Sequence, residues 1–155
     1  YRIMAAETLS YWLERIIEVK GENVPILVMG DFNDEPHSRS LVDYAQSTKS
    51  RKKVLSSHEV PRLFNLMWKL AGKGQGSYYE SNFPRLLDQI LVNRGLLTGE
   101  AGLKVKPATV HVVEYEPMVK SQKYRSPRRF GRPSSKLDEK GYSDHSGVGV
   151  TLSSK

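Results

Sequence analysis

The sequence predicts an α/β domain, and three observations carry that expectation. An amphipathic helical stripe near the amino end is followed, after a short turn, by a run of strand formers. That run is apolar without alternation, as in a strand covered on both faces. A second helical pattern follows it across a proline-bearing turn, which completes an alternating unit. At 155 residues the chain suits one domain, here 1–155, since domains run to roughly 100–150 residues. Hydrophobic residues make up 38% and charged residues 26%, a balance that excludes a disordered or fibrous chain.

Ala5, Leu9, Trp12, Leu13, Ile16 and Ile17 recur at three- and four-residue spacing, so the first helix buries that stripe. Gly21 can end it in a left-handed conformation. Pro25 to Met29 is then a strand, expected to lie at the centre of its sheet. A helical pattern runs from Ser38 to about Gln46. Leu63, Phe64, Leu66, Met67, Trp68 and Leu70 predict another helix, ended at Gly72. Lys73 to Ser77 reads as a turn, Tyr78-Tyr79 opens a strand, and Leu86 to Val92 is the next buried strand. Val105 to Val113 and Gly147 to Leu152 are the last two. Between them, residues 117–141 form a long basic loop without hydrophobic periodicity, a length that in compact domains usually means function or disorder.

Lys and Arg number 24 against 17 Asp and Glu, a net charge of +7 that favours anionic partners such as DNA, RNA or phosphorylated small molecules. The surplus is concentrated. Residues 118–140 hold eight basic and two acidic side chains, whereas residues 1–48 hold four basic and eight acidic ones. Lys49, Arg51, Lys52 and Lys53 form a second, smaller cluster. No apolar run approaches the roughly 18 residues that cross a bilayer. The absence of cysteine excludes a disulfide framework, a thiol nucleophile and a thiolate zinc site, leaving oxygen and imidazole ligands.

Three segments carry chemistry. Gly30-Asp31-Phe32-Asn33-Asp34-Glu35-Pro36 stands at the carboxyl end of the first strand, where open α/β sheets place their ligands. Asp31 leaves an apolar strand with no basic neighbour in sequence, so it needs a metal, another cation or a hydrogen-bond donor. Asp88 interrupts the apolar strand Leu86 to Val92. On the solvent side it would need no partner. On the buried side a histidine is the natural one, because a carboxylate on one ring nitrogen sets the tautomer and basicity of the other. Ser143-Asp144-His145 lies just before the last strand and can deliver a carboxylate and an imidazole to one site.

Taken together, Gly-Asp-Phe-Asn-Asp-x-Pro, Leu-Asp-x-Ile-Leu-Val and Ser-Asp-His, in this order and these strand contexts, resemble the carboxyl-terminal half of the DNase I-like endonuclease/exonuclease/phosphatase superfamily. Gly76-Ser77-Tyr78 is similar to that family's Gly-Thr-Tyr, and Pro127-Arg-Arg-Phe130 extends the likeness. The resemblance implies the second half of a two-sheet α/β sandwich acting as a metal-dependent phosphoester hydrolase. By it, Asp31 orients and deprotonates the attacking water, Asn33 binds the phosphoryl oxygens, Asp88 holds His145, and His145 contacts the scissile phosphate. Asp144, with Asp31, belongs to the ligands of Mg²⁺ or Mn²⁺. Tyr78, Arg125, Arg128, Arg129 and Arg132 fall to substrate binding, with DNA or RNA favoured by the basic loop.

The family pattern also has an amino-terminal half bearing an Asn, a metal-binding Glu and a His. The expectation is therefore an incomplete domain, with that half absent and apolar surface uncovered around Ile26–Met29 and Leu86–Val92. Other substrates of the same superfamily, small phosphoesters or lipid headgroups, remain alternatives, as does a non-catalytic nucleic-acid-binding fragment.

Overall fold

A computed structural model describes residues 1–58, 60–120, 125–131 and 137–154. Helix α1 (Arg2–Lys20) forms as its spacing predicts, but its buried stripe is rotated: Ala6 and Leu13 are buried, with Leu9 and Ile17 beside them. Trp12 is 58% exposed and Ile16 is exposed as well. Periodicity alone leaves positions one step apart equally eligible for the core, so it favours the larger apolar side chains whichever way the helix turns. Gly21 closes the helix at φ 86°, its N–H reaching the Ile17 carbonyl at 2.7 Å. Its ψ of 161° makes this an extended exit rather than a left-handed cap.

Strand β1 (Leu27–Asp31) follows, then one wide π-type turn at Ser40–Tyr44 within the predicted helix. A short β2 (Ser47–Thr48) leads to α2 (Arg51–Ser56), whose first turn is capped when Ser50 Oγ accepts from the Lys53 N–H. The segment expected as a helix over 63–70 divides instead into β3 (Leu63–Asn65) and a 3₁₀ turn at Leu66–Lys69. Asn65 decides this locally, since its side-chain oxygen accepts from the Met67 N–H and starts the turn there. Next come β4 (Tyr78–Glu80), β5 (Phe83–Arg85), β6 (Asp88–Val92), α3 (Arg94–Thr98), β7 (Leu103–Val112) and β8 (Val148–Ser154).

The main sheet has the order β1-β6-β3-β2, antiparallel except for the parallel β2-β3 pair. The first strand is thus an edge strand and β6 is central, the reverse of the expectation for Pro25–Met29. An apolar run identifies a strand but says nothing of its neighbours. Strand β6 separates two cores by simple alternation. Ile90 and Val92 pack with Leu66, Met67, Leu97, Val105 and Val110 under the β7-β8 ribbon, while Leu91 packs with Leu13, Leu41 and Leu63 under α1. All three β6 residues are fully buried, so each contributes about 1.5–3 kcal/mol of burial. The expected uncovered face at Leu86–Val92 is therefore not found. Exposed apolar surface does lie on β1, in the other expected segment, where Met29 is 54% exposed, and also on α1.

Candidate active site

The register of β1 against β6 runs Leu27 to Val92, Met29 to Ile90 and Asp31 to Asp88. Odd positions of β1 therefore share a face with even positions of β6, and the last pair on that face is two facing carboxylates. Like charges directly opposite each other destabilise a strand pair. Among the described residues no lysine or arginine pairs with either Asp31 or Asp88.

His145 arrives from the turn before β8, held by an isolated bridge between Tyr78 and His145. Its Nδ1 lies 2.7 Å from Asp88 Oδ2. That bond leaves Nε2 as the ring nitrogen available to a ligand. Asp31, Asp88 and His145 can each offer one ligand atom with all three within 4.8 Å of one another. Two carboxylates and an imidazole, with no ammonium or guanidinium between the carboxylates, suit a divalent cation. Asn33, at φ 51°, folds back on this group: its backbone N–H donates to Asp31 Oδ1 at 2.7 Å and its side-chain amide to Oδ2 at 3.1 Å. Asp31 and Asn33 also line a cleft of about 480 Å³ that runs along β1 beside Leu9, Val28 and Met29.

Asp144 is placed differently. It is exposed next to His145 and stands outside the cluster of three. Tyr78 and Arg129 back the imidazole: the Tyr78 ring lies 5.0 Å from the His145 ring, and the Arg129 guanidinium lies 5.0 Å over Tyr78. Arg129 also donates to the Tyr79 carbonyl at 2.9 Å. Arg125 bonds Glu114 at 2.8 Å and Glu116 at 2.6 Å, and Arg128 bonds Asp138 at 2.8 Å. The Glu116 bond raises the Arg125 pKa, and the Arg128 bond lowers that of Asp138. Arg132 lies outside the described residues.

Two supporting residues stand within the sequence motifs, but only the structure shows what they do. Ser77, fully buried, accepts through Oγ from the N–H groups of Leu87 and Asp88, and its carbonyl accepts from Ser146 N–H at 2.7 Å. One residue thus fixes the backbone of both Asp88 and the neighbour of His145. Gly76 lets this crossing occur, because a Cβ there would stand 2.6 Å from the Arg85 nitrogen. Glu35 is the second: it accepts from Leu86 N–H at 3.2 Å and pairs with Arg85 at 2.9 Å, tying the Asp31 loop to the approach of β6. The signal for Ser77 is its hydroxyl in the Gly-Ser-Tyr triplet; Glu35 carries none.

The described helices include none long and apolar enough to cross a membrane. Neither a curated protein nor a solved structure matches the chain. A family model described as endonuclease/exonuclease/phosphatase family matches residues 1–154. That family hydrolyses phosphoester bonds and generally uses divalent metals, in keeping with an α/β fold that gathers two aspartates and a histidine at one strand end. This chain belongs to the endonuclease/exonuclease/phosphatase family.

Proposed function

We propose that the chain carries the catalytic end of a divalent-metal-dependent phosphodiesterase of the endonuclease or exonuclease kind, with nucleic acid as its substrate class. The observation that carries this reading is the Asp31, Asp88 and His145 cluster, with Asn33 bonded to its outer carboxylate. When bound, a cation of the Mg²⁺ or Mn²⁺ kind would neutralise charge on the phosphoryl and leaving oxygens. Asp31 is the residue for that ligand position and for orienting the attacking water; exposed Asp144 can add a further carboxylate from the rim. Asp88 holds the imidazole so that Nε2 of His145 meets a phosphoryl oxygen. Asn33 adds an amide donor where negative charge builds, an electrostatic contribution that needs no reorganisation.

The edge of β1 that no strand pairs among the described residues, and the exposed Met29 and Trp12, support a further part of this reading, that additional strands of the same domain complete the site along β1. Turnover of a chromogenic phosphodiester, with and without a co-expressed upstream segment, tests both. Activity that requires Mg²⁺ or Mn²⁺ and disappears in Asp31→Asn is the expected result. Activity on monoesters alone would point to a phosphatase, and undiminished turnover by Asp31→Asn would overturn the assignment.

A further inference from the structure

A second cavity, of about 370 Å³, lies away from the three-residue cluster and is lined by Lys49, Phe64, Asn65, Trp68, Lys69 and Pro107. Its chemistry is unlike that of the acidic strand end. The Lys49 ammonium stands 5.3 Å over the Trp68 indole, and the ring of His37, from the loop that follows Asp31, lies 6.2 Å from that indole. Trp68 Nε1 is buried with no hydrogen-bond partner among the described residues. Lys69 reaches the Ala108 carbonyl at 2.9 Å, beside Pro107.

The charge here is uncompensated. Among the described residues no carboxylate pairs with Lys49, Arg51, Lys52, Lys53 or Lys69, although several arginines elsewhere have partners. The four basic residues of 49–53 are all exposed. The cavity is also coupled to the catalytic loop. Asn65 in its wall donates to Gln89 Oε1 at 3.0 Å, and the Gln89 amide donates to the Asp34 carbonyl at 2.9 Å. Gln89 is fully buried, so this connection is rigid.

We propose that this cavity is a subsite for single-stranded polynucleotide, with one base stacked on Trp68 and the flanking phosphates held by Lys49, Lys69 and the lysines of α2. A lysine on its flexible stem can leave the indole face for a phosphate, and the vacated face suits a base, since aromatic platforms between cationic groups are how strands are held without sequence preference. An isolated phosphate would need no indole. The proposal rests on the nucleic-acid reading above for its polymer, and extends it to a place where the strand is held beside, not at, the reacting phosphate.

The test uses a Trp12→Phe background, because the chain has two tryptophans and Trp12 is exposed, so emission then reports Trp68 alone. Oligothymidylate of about twelve nucleotides, within the range of single-strand site sizes, is titrated with EDTA present to block hydrolysis. Quenching of Trp68 by the oligonucleotide, absent with inorganic polyphosphate, is expected. The double variant Lys49→Ala/Lys69→Ala should weaken binding about tenfold at low salt and lower the log–log salt slope by about 1.4, or about 0.7 for each phosphate left without its lysine. Binding without quenching, affinity unchanged in the double variant, or lysine-dependent binding to phosphatidylserine vesicles in place of the oligonucleotide would each overturn the subsite. Turnover of a base-free phosphodiester by the same protein, with Mg²⁺ in place of EDTA, tests the hydrolase reading independently, so the two can fail separately.

Discussion

Two basic regions of this molecule look alike in sequence, and their described residues differ in how carboxylates pair them. The long loop holds the greater surplus, yet its Arg125 and Arg128 are bonded to Glu114, Glu116 and Asp138, and its Arg129 is laid over Tyr78 behind His145. The smaller cluster at Lys49, Arg51, Lys52 and Lys53 has no carboxylate partner among the described residues, and it adjoins an aromatic cavity. Formal charge along a chain counts groups, whereas a polyanion meets only those not already neutralised. The loop's described arginines brace the turn that delivers His145, and the cluster offers field to a partner.

The largest effect should come from the site that the loop braces. Asp88→Ala leaves Nδ1 of His145 without its acceptor, and turnover of a chromogenic diester should fall by about 10²–10⁴, the range typical of positioned acid–base groups. Oligothymidylate binding at the Trp68 cavity should not change in the same variant. Loss of both would show that one surface, not two, binds the strand.

Gly76→Ala tests the bracing through backbone. Its methyl would collide with the Arg85 nitrogen, so a loss of about 1–3 kcal/mol in denaturant unfolding is expected, together with lower turnover. Wild-type stability would mean that the β4 to β6 crossing is looser than its close approach indicates.

A salt titration of oligonucleotide binding separates the two basic regions most directly. Removing Lys49 and Lys53 should lower the slope by about 0.7 for each phosphate no longer neutralised, whereas Arg125→Ala and Arg128→Ala should leave it nearly unchanged. A slope that falls in the loop variants would reverse the comparison.

The smallest expected effect is on pH. Because the Arg128 bond lowers the Asp138 pKa, this pair contributes fully above the ordinary aspartate value of about 4 and is lost as pH falls through the depressed folded value. Limited proteolysis of the loop should therefore stay slow on mild acidification and accelerate only below it. Acceleration already above that value would mean that the pair does not hold the loop.

The chemistry of the strand ends is written in the chain. Asp31 and Asp88 are legible because an ionisable group in an apolar strand needs a partner, and a histidine suits Asp88; that His145 is the one follows from the family resemblance, and the fold brings the two together. The α/β class is equally readable from the change of hydrophobic period, and β6, β7 and β8 stand close to their expected places. Adjacency, by contrast, belongs to the tertiary structure. No local pattern says that β1 is an edge strand, that Asp31 faces Asp88 across a register, or that Asn65 turns a helical-looking segment into strand and 3₁₀ turn. Nor can composition tell a paired arginine from a lysine without a partner, since the carboxylates that neutralise Arg125 and Arg128 lie nine to eleven residues away in sequence and meet them only in the fold. Periodicity reports which side chains avoid water, and pairing depends on which surfaces meet; the first is a property of the chain, the second of the fold.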